Sequence, residues 1–149
     1  MKTIKTILAS AIIILSITLQ SCSSNDNDSE PLEETYIKFT AGAETFNYTN
    51  VATAGSQNLT INGQDGSVSS ISIWFPLQIT TGTFNFSGDF FADGDYKINF
   101  ESTSLNIDGW SESGSVTITN VSSEYIEGTF TGTVDGVAIT SGEFRAFNL

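Results

Sequence analysis

The chain has no histidine, a single cysteine, two prolines and only five basic residues in 149 positions. Without histidine, a Ser-His-Asp or Cys-His triad is excluded, and so is any histidine-based zinc site. One cysteine cannot close an intramolecular disulfide. Lys2 and Lys5 sit at the extreme N-terminus, so the rest of the chain holds Lys38, Lys97 and Arg145 against 17 acidic residues, a net charge of −14. A surface that negative repels phosphates and anionic headgroups, which argues against nucleic acid and against direct adsorption to a bilayer. It serves solubility and leaves cation binding open. Thr, Ser, Gly, Asn, Phe and Ile are abundant, a mixture that suits strands and tight turns and is poor for long helices.

The first 21 residues read as a leader. Met1-Lys2-Thr3-Ile4-Lys5 is a short basic segment, and Ile7 to Leu19 is apolar apart from Ser10, Ser16 and Thr18. As a helix this apolar run would measure roughly 20 Å, short of a hydrocarbon core of about 30 Å. It therefore reads as the h-region of a signal peptide and not as a permanent span. Leu19-Gln20-Ser21-Cys22 follows and resembles the lipobox of bacterial lipoproteins. That resemblance implies a diacylglyceryl group on the Cys22 sulfur and cleavage after Ser21. Two or three acyl chains anchor a protein stably, at about 0.8 kcal/mol per buried CH₂. Ser23 stands where an Asp would resemble an inner-membrane retention signal, so the outer membrane is expected. Residues 22–34 are polar and acidic and read as a disordered tether. An acidic run just after the cysteine also resembles the surface-export signal of Bacteroidota lipoproteins, which favours the cell surface over the periplasmic face.

Residues 35–149 read as one all-β domain of about nine strands, an antiparallel sandwich or flattened barrel of mainly up-and-down connections. Two-residue alternation interrupted by glycine carries this reading. Ile37 and Phe39, then Phe46 and Tyr48, form a first hairpin about Gly42. A short strand through Leu59 and Ile61 is expected to end at Asn62-Gly63. Ile71, Ile73 and Phe75 share one face, with Ser70, Ser72 and Trp74 on the other. Gly82 reads as a bulge in a strand from Thr80 to Phe86. Ile98 and Phe100 alternate with Lys97, Asn99 and Glu101. Leu105 and Ile107 are expected to pair with Val116 and Ile118 across a connection from Asp108 to Gly114. Ile126, Phe130 and Val134 share a face with Gly128 and Gly132, which should leave room for the Phe130 ring. Asp135-Gly136 signals a hairpin, and the parity of the last strand shifts at Ser141-Gly142.

A family resemblance accompanies this pattern. Gly114-Ser115-Val116-Thr117-Ile118-Thr119, Ile126-Glu127-Gly128-Thr129-Phe130 and Ile139-Thr140-Ser141-Gly142-Glu143-Phe144 resemble the C-terminal signature of a family of small β-rich lipoproteins of unknown function in Bacteroidota. Ala41-Gly42-Ala43-Glu44-Thr45-Phe46 is similar to that family's first hairpin. The resemblance implies an envelope lipoprotein and supplies no catalytic residues.

The candidate sites are few. Trp74 faces away from the apolar side of its strand, and Trp110 lies in what reads as a loop, Asp108-Gly109-Trp110-Ser111. Both are candidates for stacking on sugar rings, against the alternative that they only cover ends of the fold. Asp89, Asp93 and Asp95 flank glycines and are candidate calcium ligands, although their spacing is not that of an EF-hand. The Thr129 to Thr133 face reads as solvated strand surface. No cofactor beyond the lipid is expected. The leading functional reading is a non-enzymatic, membrane-anchored binding or accessory module, monomeric in its folded domain, for a glycan or an envelope protein. A structural subunit of an envelope complex is the second reading, and a carboxylate-pair glycoside hydrolase the third.

Overall fold

The computed structural model describes residues 34–49, 51–87 and 95–149. The leader, Cys22, the tether up to residue 33, Asp89 and Asp93 lie outside the described residues. Among the described residues ten strands follow one another: β1 (Tyr36–Ala41), β2 (Glu44–Thr49), β3 (Ala52–Gly55), β4 (Asn58–Asp65), β5 (Ser69–Pro76), β6 (Gly82–Asn85), β7 (Lys97–Ser102), β8 (Ile107–Val121), β9 (Tyr125–Val134) and β10 (Val137–Phe147). Every pairing between them is antiparallel. The strands run β2-β1-β10-β9-β8-β7-β5-β4-β3 in a sheet that curls into a half-barrel, with β6 paired to β8 off this path. Short hairpins account for most of the order, and β1 beside β10 is the long-range closure.

The curl buries one face of every central strand. Ile37, Phe39, Ile61, Ile71, Ile73, Phe75, Ile98, Phe100, Ile126 and Phe144 are essentially inaccessible. Phe39 is the hub: its ring stacks on Phe46 at 5.1 Å, meets Phe100 edge-on at 5.1 Å and lies 5.8 Å from Phe130. Such pairs contribute about 0.5–1.5 kcal/mol beyond area burial. At the open side, Tyr48 of β2 lies against Gly63 of β4, where an added Cβ would come within 2.8 Å of the ring. Thr53 of β3 donates its hydroxyl to the carbonyl of Phe147 at 2.8 Å.

Four expectations need correction. Asn62-Gly63 does not end a strand; β4 runs through it to Asp65, and Gly63 is glycine because Tyr48 occupies the space above it. Leu105-Ile107 and Val116-Ile118 do not pair across a connection. Residues 107–121 are one strand, β8, and residues 103–106 form the turn before it. Gly109 sits in β8 because the Asp135 carboxylate lies where its Cβ would be. Trp110 is therefore a strand residue and not a loop residue. Finally, Gly82 opens β6 instead of interrupting a longer strand, and the short exposed strand β3 carries no alternation from which it could have been read. The inward lists for β5 and β9, the Asp135-Gly136 hairpin and the bulge at Ser141 (φ 53°) agree with the expected pattern.

Candidate functional site

The outer face of β5, β7 and β8 collects the chain's two tryptophans. Register places Thr60, Trp74 and Lys97 on one rung and Asn62, Ser72, Asn99 and Trp110 on the next. Strands lie about 4.8 Å apart, so β5 and β8, with β7 between them, are roughly 10 Å apart. The Trp74 and Trp110 ring centroids are nevertheless only 5.6 Å apart, at an interplanar angle of 61°. Both rings must lean over β7 to meet. Lys97, directly opposite Trp74 on β7, is on the outer face yet only 9% exposed. The Trp74 Nε1–H is shielded from solvent and donates to no acceptor among the described residues.

Hydrogen bonds hold the polar side chains beside this pair. Ser72 donates to Asn62 Oδ1 at 2.7 Å, and Asn62 Nδ2 donates to Thr60 Oγ1 at 3.2 Å. Asn99 Nδ2 donates to the Gly109 carbonyl at 3.0 Å. Below Trp110 the β7–β8 ladder stops, and the buried Ser111 hydroxyl accepts the Ile98 N–H at 3.2 Å in its place. The result is two indole rings flanked by amides and hydroxyls fixed in orientation.

One rung along, Glu101 and Asp108 stand directly opposite each other. Like charges in that relation are unfavourable. Asp135, held at the β9–β10 turn with φ 48°, accepts the Asp108 backbone N–H on Oδ2 at 2.9 Å. These three acids, with Gln64, Ser70 and Asn106, line an open cleft of about 730 Å³. Two further hydroxyls of that cleft are buried: Ser102, and Ser69, which accepts a 2.9 Å hydrogen bond from Tyr48. Burial pushes the Tyr48 phenol above its usual pKa, and the bond to Ser69 pulls it partly back.

Beyond Trp110 the same face of β8 changes character. Thr83, Thr117, Thr129 and Glu143 form one rung across β6, β8, β9 and β10, and Asn85, Ser115 and Thr131 form the next. Thr83 and Thr117 share a hydrogen bond of 2.9 Å. The bulge at Ser141 opens a shallow groove of about 420 Å³ over Ser115, Thr117, Thr129 and Thr131.

Trp74 and Trp110 are thus brought together, although nothing in the sequence linked them. Of the calcium candidates only Asp95 is described, and it pairs with Lys97 at 3.9 Å. Among the described residues, no three histidine, cysteine, aspartate or glutamate side chains converge to hold a metal, and no helix is long and apolar enough to cross a membrane. The Glu101–Asp108 opposition is not legible in the sequence, because it depends on a cross-strand register that alternation does not reveal. The chain matches no protein-family model, no curated protein and no solved structure.

Proposed function

We propose that this chain is a lipid-anchored, non-enzymatic binding module of the bacterial outer membrane whose β5–β7–β8 face docks a glycan. The observation that carries the reading is the convergence of Trp74 and Trp110 at 5.6 Å over Lys97, on a face whose other polar groups are oriented amides and hydroxyls with carboxylates one rung along. Indole rings supply a flat, apolar, electron-rich surface on which the C–H face of a sugar ring packs. Fixed polar groups around an apolar floor give such a site orientation and specificity. The net charge of −14 selects against polyanions. The Leu19-Gln20-Ser21-Cys22 sequence supports the anchor, and display at the cell surface would give this face access to an external ligand.

The test is retention of the full chain on gels containing neutral polysaccharides. Wild type is expected to be retarded on at least one of them, and Trp110→Ala to run as on a blank gel. Equal mobility of the two proteins on every gel contradicts the reading. The anchor is tested separately: Cys22→Ser should abolish incorporation of a palmitate analogue, and equal labelling of variant and wild type would sink the lipoprotein reading.

A second reading has one observation in its favour. Glu101 and Asp108 face each other one rung from Trp110, and glycoside hydrolysis uses two carboxyls about 5–10 Å apart. It predicts release of reducing sugar that Glu101→Gln abolishes without loss of binding. The binding-module reading predicts no release.

A further inference from the structure

We infer that the ligand is an extended, uncharged polysaccharide chain lying along the outer face of β8, and that several sugar units are recognised together. The inference rests on the glycan reading of the tryptophan pair and adds the size, charge and path of the ligand. Its basis is that one strand, β8, carries three features in series on one face. Asp108 lies in the 730 Å³ cleft, Trp110 in the aromatic pair, and Ser115 and Thr117 in the 420 Å³ groove. The irregularity between Ser111 and Ser113 lets this happen. An unbroken strand would keep Trp110 in phase with the even-numbered positions, and Ser115 and Thr117 would then point inward. The extra residue shifts the parity, so Trp110, Ser115 and Thr117 all lie on the outer side while Val116 and Ile118 are buried.

Strand rise fixes the scale. At about 3.3 Å per residue, Asp108 to Thr117 covers roughly 30 Å, long enough for several sugar rings and much more than one needs. The chemistry along the path fixes the class. The groove half offers Thr117, Thr129, Thr131, Ser115 and Asn85, which are hydroxyls and an amide, with the Glu143 carboxylate at the β10 end of the Thr117 rung as its one charge. Such groups exchange hydrogen bonds with sugar hydroxyls in either direction. The cleft half adds Glu101, Asp108 and Asp135, acceptors for sugar hydroxyls that repel sulfated or uronic chains. A single sugar would engage only the tryptophan pair, and a chain would engage all three features.

The experiment uses the full chain in mild detergent and titrates it with bioses and hexaoses of β-1,4-glucan, β-1,4-xylan, β-1,4-mannan and α-1,4-glucan. In at least one series the hexaose is expected to bind at least about tenfold more tightly than the biose. Thr117→Ala combined with Thr131→Ala should bring the hexaose down toward the biose while leaving the biose unchanged; Ser115→Ala, at a neighbouring groove position, should act in the same direction. Trp110→Phe should weaken both by a similar factor. Biose and hexaose binding equally, or threonine variants indistinguishable from wild type on the hexaose, overturns the extended path and leaves the glycan reading standing. Binding of no member of any series, together with no retention on the polysaccharide gels, overturns the glycan reading itself and this inference with it.

Discussion

The two faces of β9 are built to opposite rules. Inward, Ile126, Gly128, Phe130 and Val134 are packed so closely that even the glycine has no spare space. Outward, Glu127, Thr129, Thr131 and Thr133 touch solvent or lie partly open. The inner face is dictated by packing, because an interior at close-packed density tolerates neither a hole nor an extra methyl. The outer face is nearly free of that constraint. A pair of tryptophans leaning over a neighbouring strand therefore stands out on the outer face in a way that buried phenylalanines do not inside.

The sharpest way to break this contrast is Phe130→Ala. The ring lies 5.8 Å from Phe39 and 6.4 Å from Phe144, and its removal should cost about 3–5 kcal/mol in urea melts. A loss under about 1 kcal/mol would mean that the inner face is not close-packed there. Gly128→Ala tests the opposite fault. The new Cβ would collide with the Thr117 carbonyl and come within 2.8 Å of the Phe144 ring. A loss of about 1–3 kcal/mol is expected from overpacking, and a neutral result would show slack that the geometry denies.

Tyr48→Phe removes a single hydrogen bond, to Ser69, and should cost about 1 kcal/mol. It also carries a pH signature. The phenol's pKa is raised by burial above its usual 10.0, so its contribution to stability is intact below that value and is lost as pH rises through the raised one. Wild type should lose stability in alkali more steeply than Tyr48→Phe, and with no histidine in the chain both should be nearly flat between pH 6 and 8. Parallel alkaline curves would contradict the burial of that hydroxyl. The smallest effect belongs to the outer face: Thr131→Ala should change stability by about 0.5 kcal/mol or less. If it proved more damaging than Phe130→Ala, the register of β9 would be inverted.

Alternation alone makes the orientation of β5 and β9 legible in the sequence. A strand with Ile71, Ile73 and Phe75 inward and Ser70, Ser72 and Trp74 outward has only one sensible orientation. The room expected beside Phe130 lies elsewhere. Gly128 faces the Phe144 ring and Gly132 faces Phe86, while Phe130 itself lies over Gly142 on β10. Glycine is the ambiguous signal throughout. Gly63 and Gly109 are close-packing glycines, where the Tyr48 ring and the Asp135 carboxylate occupy the Cβ position, but in a sequence they look the same as Gly42 and Gly136, which turn the chain at φ 59° and 74°. That ambiguity splits β8 in two on paper and puts Trp110 in a loop. The tryptophan pair is legible as two separate candidates, whereas their meeting depends on the order β5-β7-β8, which no local pattern encodes. The threonine face is legible as outward and silent as to purpose, because hydroxyls favour exposed strand whether or not they bind anything.

Trp74 and Trp110 are the only tryptophans in the chain, so indole fluorescence reports on the proposed site without a label. The direct test is to titrate the folded, full-length protein with neutral polysaccharides while recording tryptophan emission. The account predicts a saturable change in intensity or wavelength with at least one polysaccharide, reproduced by the hexaose of the same linkage. Emission that stays constant across all of them, from protein whose strand signal by circular dichroism is intact, would contradict it.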